Sequence, residues 1–136
     1  MSMTGQCLCG AVKYTCSADP VISGNCHCHD CQKSSGSAYA PTFFVPEQSI
    51  AIQGPVKYYE SAGGSGGKVS RGFCSNCGSP LFGKTETMPG LLAVRAGSLD
   101  DTSQYHPQVD IFVSRAAPWD FIPPTATQFP EMPPSA

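Results

Sequence analysis

Apolar and polar residues alternate along short stretches of this chain, and a helical period is nearly absent. Residues 11–16 (AVKYTC) place Val12, Tyr14 and Cys16 on one face of a strand. Residues 38–45, 49–53, 56–59, 68–73, 80–83, 91–96 and 109–114 read as further strands. Gly, Pro, Ser or Asn punctuates nearly every gap, so an all-β fold of short antiparallel strands is predicted. Pro41 inside the 38–45 run predicts an edge or broken strand there. One exception to the β pattern is 30–35, which predicts a helical turn or two stopped by Gly36. The run 61–67 (SAGGSGG) reads as a mobile hairpin tip or a lid over a site. From 118 to 136 there are six prolines, which predicts an extended tail, wrapped on the body or frayed. Trp119 and Phe121 are its expected anchors.

Composition sharpens this picture. A chain of 136 residues and 14.3 kDa fits a single domain spanning 1–136. Leu, Ile, Val and Phe together make only 25 of the 136 residues, and charged residues only 13%, so the core is thin. A net charge of −2 removes the high-charge signature of disorder. Eight cysteines then suggest that metal or cross-links supply stability that apolar burial cannot. No run approaches the ~20 apolar residues of a membrane span. The start, MSMTGQCLCG, lacks the basic head and apolar run of a secretion signal. A pI near 5.8 leaves no basic footprint for nucleic acid. The expected compartment is the reducing cytoplasm, where cysteines more often bind metal than form disulfides.

The cysteines fall into three knuckles: Cys7-Leu8-Cys9-Gly10, Cys26-His27-Cys28-His29-Asp30-Cys31 and Cys74-Ser75-Asn76-Cys77-Gly78. Thiolates one to three residues apart can face one metal from a single tight turn, and a following glycine lets backbone amides approach the sulfurs. The alternative is a disulfide framework, for which C-x-C neighbours are awkward partners. The middle knuckle has three thiolates and most simply builds one site alone. Cys7, Cys9, Cys74 and Cys77 then form a closed four-cysteine site of structural type. Cys26, Cys28 and Cys31 leave a fourth position open, as in a catalytic zinc site, or closed by Cys16, His29 or Asp30. Three thiolates and Zn²⁺ sum to −1, a weak Lewis acid better suited to exchanging water for a thiol than to making hydroxide. Cys16 reads as a buried free thiol on the first strand. His27 and His29 flank ligands, and a supporting or surface role suits both better than ligation.

The blocks GQCLCGAVKY, CHCHDCQKSSGSAYA, RGFCSNCGSPLF, AGSLDD and DIFVSRAAPW, in this order, resemble the glutathione-dependent formaldehyde-activating enzyme family, which also contains centromere protein V. The resemblance covers residues 5 to about 122. It implies a zinc-binding β-tent fold with two zinc ions. Cys7, Cys9, Cys74 and Cys77 would hold a structural zinc, and Cys26, Cys28 and Cys31 a catalytic one. With one ligand fewer and all three in one short segment, the triplet is expected to hold its metal more weakly, so partial occupancy fits it. It implies a carbon–sulfur lyase type of activity on S-hydroxymethylglutathione, with glutathione as thiol partner and formaldehyde as aldehyde. One departure stands out: members often carry histidine where this chain has Asp110, and the nearest histidine is His106.

Addition of a thiol to an aldehyde needs a donor for the developing alkoxide. Ser34, Ser35 and Ser37 stand beside the triplet, and Arg71 could meet a substrate carboxylate. Lys33, Arg95, Arg115 and Asp110 are further candidates. Three functions fit these residues: an enzyme acting on a thiol–aldehyde adduct, a zinc module that binds a protein partner, and an iron or labile-zinc protein.

Overall fold

The computed structural model describes residues 2–63 and 66–134. Ten strands form two sheets: β1 Met3–Gln6, β2 Lys13–Cys16, β3 Ile22–Cys26, β4 Ala40–Pro46, β5 Ile50–Gln53, β6 Val56–Ala62, β7 Lys68–Cys74, β8 Pro80–Thr85, β9 Leu91–Arg95 and β10 Val109–Ile111. One α-helix, α1, spans His29–Ser35. The small sheet has the order β1-β2-β5, and the large one β10-β3-β4-β9-β8-β7-β6. The fold is all-β, as the alternation predicts, and all strand pairs but one are antiparallel; β10 runs parallel to β3.

The core lies between the sheets. Val12, Tyr14 and Cys16 are all buried on the inner face of β2, in the phase read from the sequence. They join Phe43 and Val45 of β4, Phe82 of β8, and Leu92 and Val94 of β9 in one apolar cluster. Tyr14 meets Phe82 edge-on, with ring centroids 5.5 Å apart, and its hydroxyl bonds Ser98 Oγ at 2.7 Å.

Alternation gives the large sheet a second face, and that face carries the chemistry. Cross-strand pairing sets out one row, Val109–Gly24–Thr42–Arg95, and beside it a second, Ile22–Phe44–Ala93–Gly83–Arg71. Two strands, β1 and β3, were not legible from the pattern. Each has a glycine where close packing requires one. A Cβ on Gly24 would lie 2.8 Å from Val109 Cγ2, and one on Gly5 would collide with the Tyr14 hydroxyl and the Ser98 carbonyl.

Two expectations need correction, and a third falls partly outside the described residues. β4 is not an edge strand: it lies between β3 and β9, and Pro41 is tolerated because pairing with β9 begins only at Thr42. Trp119 and Phe121 are not anchors, being 72% and 78% exposed. The tail is held by backbone instead. The Asp110 N–H donates to the Thr127 carbonyl (2.8 Å), and the Phe129 N–H donates to the Asp110 carbonyl (2.9 Å). Finally, the 61–67 loop joins β6 to β7 as a hairpin tip, but Gly64 and Ser65 lie outside the described residues, and with them the lid reading.

Replacing Gly5 by Ala should lower stability by about 2 kcal/mol, because the methyl meets a side chain and a carbonyl that are both fixed. A urea midpoint equal to the parent's would show that β1 can move away from Tyr14 at no cost.

Candidate metal centres and active site

Two tight turns, each ended by a glycine, bring Cys7, Cys9, Cys74 and Cys77 together. In each, a glycine with positive φ follows the second cysteine: Gly10 at 79° and Gly78 at 80°. The glycine N–H closes the turn onto the first cysteine's carbonyl, Gly10 to Cys7 at 3.1 Å and Gly78 to Cys74 at 2.8 Å. This left-handed conformation is the one that glycine adopts without strain. The turn aims N–H groups at sulfur: Val12 N–H to Cys7 Sγ (3.2 Å), Ala11 N–H to Cys9 Sγ (3.5 Å) and Cys77 N–H to Cys74 Sγ (3.5 Å). The Asn76 amide adds a bond to Cys9 Sγ at 3.2 Å.

All four sulfurs lie within 4.8 Å of one another. Cys7 and Cys9 are 3.6 Å apart, and Cys9 and Cys74 are 3.8 Å apart. A tetrahedron with Zn–S bonds of ~2.3 Å has edges of about 3.8 Å, so the tetrad fits zinc. The Ser79 hydroxyl and N–H beside Cys77 draw its thiol down to about 5, which favours the thiolate a metal needs.

The second cluster gathers Cys26, Cys28 and Cys31 within 4.8 Å as well. Cys26 ends β3, Cys28 caps α1, and Cys31 stands in its first turn. The Cys31 N–H donates to Cys28 Sγ at 3.4 Å, so the ligand also serves as helix cap. Gly36, with φ of 67°, ends the helix where the sequence predicts. Hydrogen bonds from the Cys26 and Cys31 thiols draw Cys28 down to about 2, helped by the Cys31 N–H and the Arg71 guanidinium. The same hydrogen bond to Cys28 keeps the proton on Cys26, whose thiol is pushed far above its ordinary range. Three thiolates this close repel one another, so a cation among them would favour their joint ionisation.

His27 stands between two of these cysteines and is 1% exposed. Both its ring nitrogens are engaged: Nδ1 lies 2.6 Å from Asp120 Oδ2, and Nε2 lies 2.7 Å from Asp110 Oδ1. The His27 N–H bonds the Ile111 carbonyl (3.0 Å), and the Gln32 amide bonds the His27 carbonyl (2.8 Å). This network fixes the peptide that carries the triplet. It also gives Asp110 a place behind the three cysteines, outside the cavity described next. Asp120 was not foreseen; a lone carboxylate in a proline-rich tail gives no signal in a sequence. The pairing between the tail and β10 is what delivers it.

The triplet opens onto a cavity of about 430 Å³ over the second face of the large sheet. Arg71, Lys84, Arg95 and Arg115 line it, with His29 and Asp30 at the helix end. Lys84 and Arg115 are paired with Glu47 (2.9 Å) and Glu131 (3.6 Å). Among the described residues, Arg71 and Arg95 have no carboxylate partner. They bond only hydroxyls, Ser61 at 3.2 Å and Ser34 at 3.1 Å. Of the serine candidates, Ser34 orients Arg95, and Ser35 donates within the helix end, to the Gln32 and Tyr39 carbonyls. Ser34, Ser35, Ser37 and Lys33 do not line the cavity. Cys16 joins neither cluster; its Sγ faces Ser49 Oγ at 3.6 Å and the Ala18 carbonyl at 3.5 Å.

The sequence match agrees with this geometry. The model of the family described as "Glutathione-dependent formaldehyde-activating enzyme" matches residues 2–115. The chain belongs to this family. A Halomonas elongata protein named "Putative glutathione-dependent formaldehyde-activating enzyme" is 26% identical over 125 residues, covering 88% of this chain and 80% of that protein. An Aspergillus flavus protein of the same name is 28% identical over 122 residues, covering 86% of this chain and 63% of its own length. A crystal structure of a Rhodobacter sphaeroides protein shares the fold, with a TM-score of 0.57 and 21% identity over 72% of this chain and 88% of that one. Among the described residues, no helix is long and apolar enough to cross a membrane.

Cys74→Ser should lose one metal equivalent and several kcal/mol of stability, whereas Cys16→Ala should keep the parent's metal content. Metal analysis and urea unfolding of both variants check this; loss of metal from Cys16→Ala would reassign a ligand. In the metal-free protein at pH 6, Cys28 should alkylate before Cys26, since a depressed thiol is ionised there and a raised one is not. Mass spectrometry of the modified peptide reads the order, and prior labelling of Cys26 would contradict it.

Proposed function

We propose that the protein is a zinc-dependent carbon–sulfur lyase-like enzyme that makes and breaks a thiol–aldehyde adduct of the S-hydroxymethylglutathione type. The tetrad Cys7, Cys9, Cys74 and Cys77 holds a structural zinc in this reading, and Cys26, Cys28 and Cys31 hold a catalytic one. The observation that carries it is the contrast between the clusters. The tetrad supplies four ligands, and the triplet supplies three and faces a cavity lined by two guanidiniums without carboxylate partners. The family match and the names of the relatives support glutathione as the thiol and an aldehyde as its partner.

When bound at the triplet, zinc supplies an open position where an incoming thiol is held as thiolate. The chain's own residues do the rest. Arg71 and Arg95 offset the negative charge of the cysteines and attract an anion, either a glutathione carboxylate or the oxygen that gains charge as sulfur adds to the carbonyl. Ser34 fixes the direction of Arg95. His29 and Asp30 line the cavity, and in this reading they take the thiol proton and return it to that oxygen. His27 is unsuited to this step, because both its nitrogens are occupied. The sulfur–carbon bond forms, the carbonyl π pair moves to oxygen, and the proton leaves sulfur and ends on that oxygen. No electrons enter or leave, and decomposition of the adduct is the reverse.

Cobalt-substituted protein titrated with glutathione should develop a growing thiolate-to-cobalt band, absent in Cys28→Ser. An unchanged spectrum at full cobalt occupancy and millimolar thiol would mean a closed site, and would favour a protein-binding zinc module instead.

A further inference from the structure

We infer that the aldehyde taken by this site is larger than formaldehyde, and that its apolar chain or ring lies on the sheet over Ala93 and Gly83. The inference rests on the thiol–aldehyde reading above and names the substrate class of that site.

The second row of the cavity floor runs Ile22–Phe44–Ala93–Gly83–Arg71. Large side chains stand at its two ends, and the two smallest residues stand together in the middle. The backbone does not require this gap. Gly83 has no positive φ, and a Cβ there would meet only Ala93 Cβ at 3.5 Å and the Ser70 carbonyl at 3.7 Å, both ordinary contacts. This differs from Gly24, where Val109 leaves no room for a side chain. What the small residues leave open is part of the cavity, and its surroundings are apolar: Val69, Met88, Ile111 and Met132 all line it.

Formaldehyde gives an adduct with one carbon and one hydroxyl beyond sulfur, and both are satisfied by polar groups. Such an adduct makes no use of a floor and walls of hydrocarbon. Water against these walls is unfavourable, and a methylene that replaces it gains about 0.8 kcal/mol, or roughly fourfold in affinity. The polar work stays at the other end. Arg95 belongs to the row nearer Cys26, and Arg71 closes the second row. Both remain available to the oxygen at the reacting carbon and to a carboxylate of the thiol. The step is unchanged in its balance. The thiol proton ends on the carbonyl oxygen, a carbon–sulfur bond forms, and the substituent R of R–CHO stays attached to carbon.

The test uses metal-loaded protein with equilibrium mixtures of glutathione and formaldehyde, butanal or hexanal. Nuclear magnetic resonance reads the enzyme-dependent exchange between adduct and free aldehyde. The value of kcat/KM should rise along the series and be at least tenfold higher for hexanal than for formaldehyde. Ala93→Leu fills the gap and should lower the hexanal-to-formaldehyde ratio about tenfold; an unchanged ratio in a metal-loaded variant overturns the placement. A flat or falling series in the parent, with formaldehyde still exchanged, overturns the inference and leaves the thiol–aldehyde reading standing. No acceleration with any aldehyde overturns both. A second measurement needs neither turnover nor a variant. Calorimetry with S-methylglutathione and S-hexylglutathione should give at least tenfold tighter binding for the hexyl compound, and equal affinities overturn the inference.

Discussion

Four sulfurs from two turns, each more than sixty residues from the other along the chain, converge within 4.8 Å. Four thiolates at that separation would repel one another, so a cation held there would make the arrangement favourable. Both sheets contribute to the place where it would sit. Cys7 and Cys9 lie between β1 and β2, Cys74 ends β7 and Cys77 lies between β7 and β8, so the tetrad joins one sheet to the other at the edge of the core. The apolar cluster between the sheets is modest in size, and a chain with so few Leu, Ile, Val and Phe residues gains more from such a join than a richly packed one would.

The triplet is built on a different principle. Its cysteines occupy one short segment, and their orientation depends on what stands behind them. His27 is fixed by carboxylates from two other parts of the chain, and Gln32 ties the same peptide to the backbone of Arg115. Asp110 belongs to this support.

The sequence was informative wherever local chemistry sets local shape. The cysteine knuckles with their glycines, the Gly36 stop and the inward phase of Val12, Tyr14 and Cys16 all appear as read. It was silent where a contact is made over distance. Ile22–Cys26 carries Ser, Gly and Asn, residues that read as a turn; they form a strand because Val109 packs where a Gly24 side chain would be. Trp119 and Phe121 misled because aromatic rings are usually assigned to the interior, whereas the carboxylate between them, Asp120, is the group that turns inward. The cavity face was half visible. Alternation marks its positions, but only the cross-strand pairing puts Arg71, Gly83 and Ala93 in one row.

The late position of Asp120 in the chain has a bearing on biosynthesis. A ribosome releases all four tetrad cysteines once Cys77 has emerged. The carboxylate that closes the His27 network emerges about forty residues later, a delay of roughly two to eight seconds at ~5–20 residues per second. The nascent chain thus has every ligand for the join between its sheets before it has the support for its reactive segment. Translation itself delivers the groups that link the two sheets before the carboxylate that steadies the triplet.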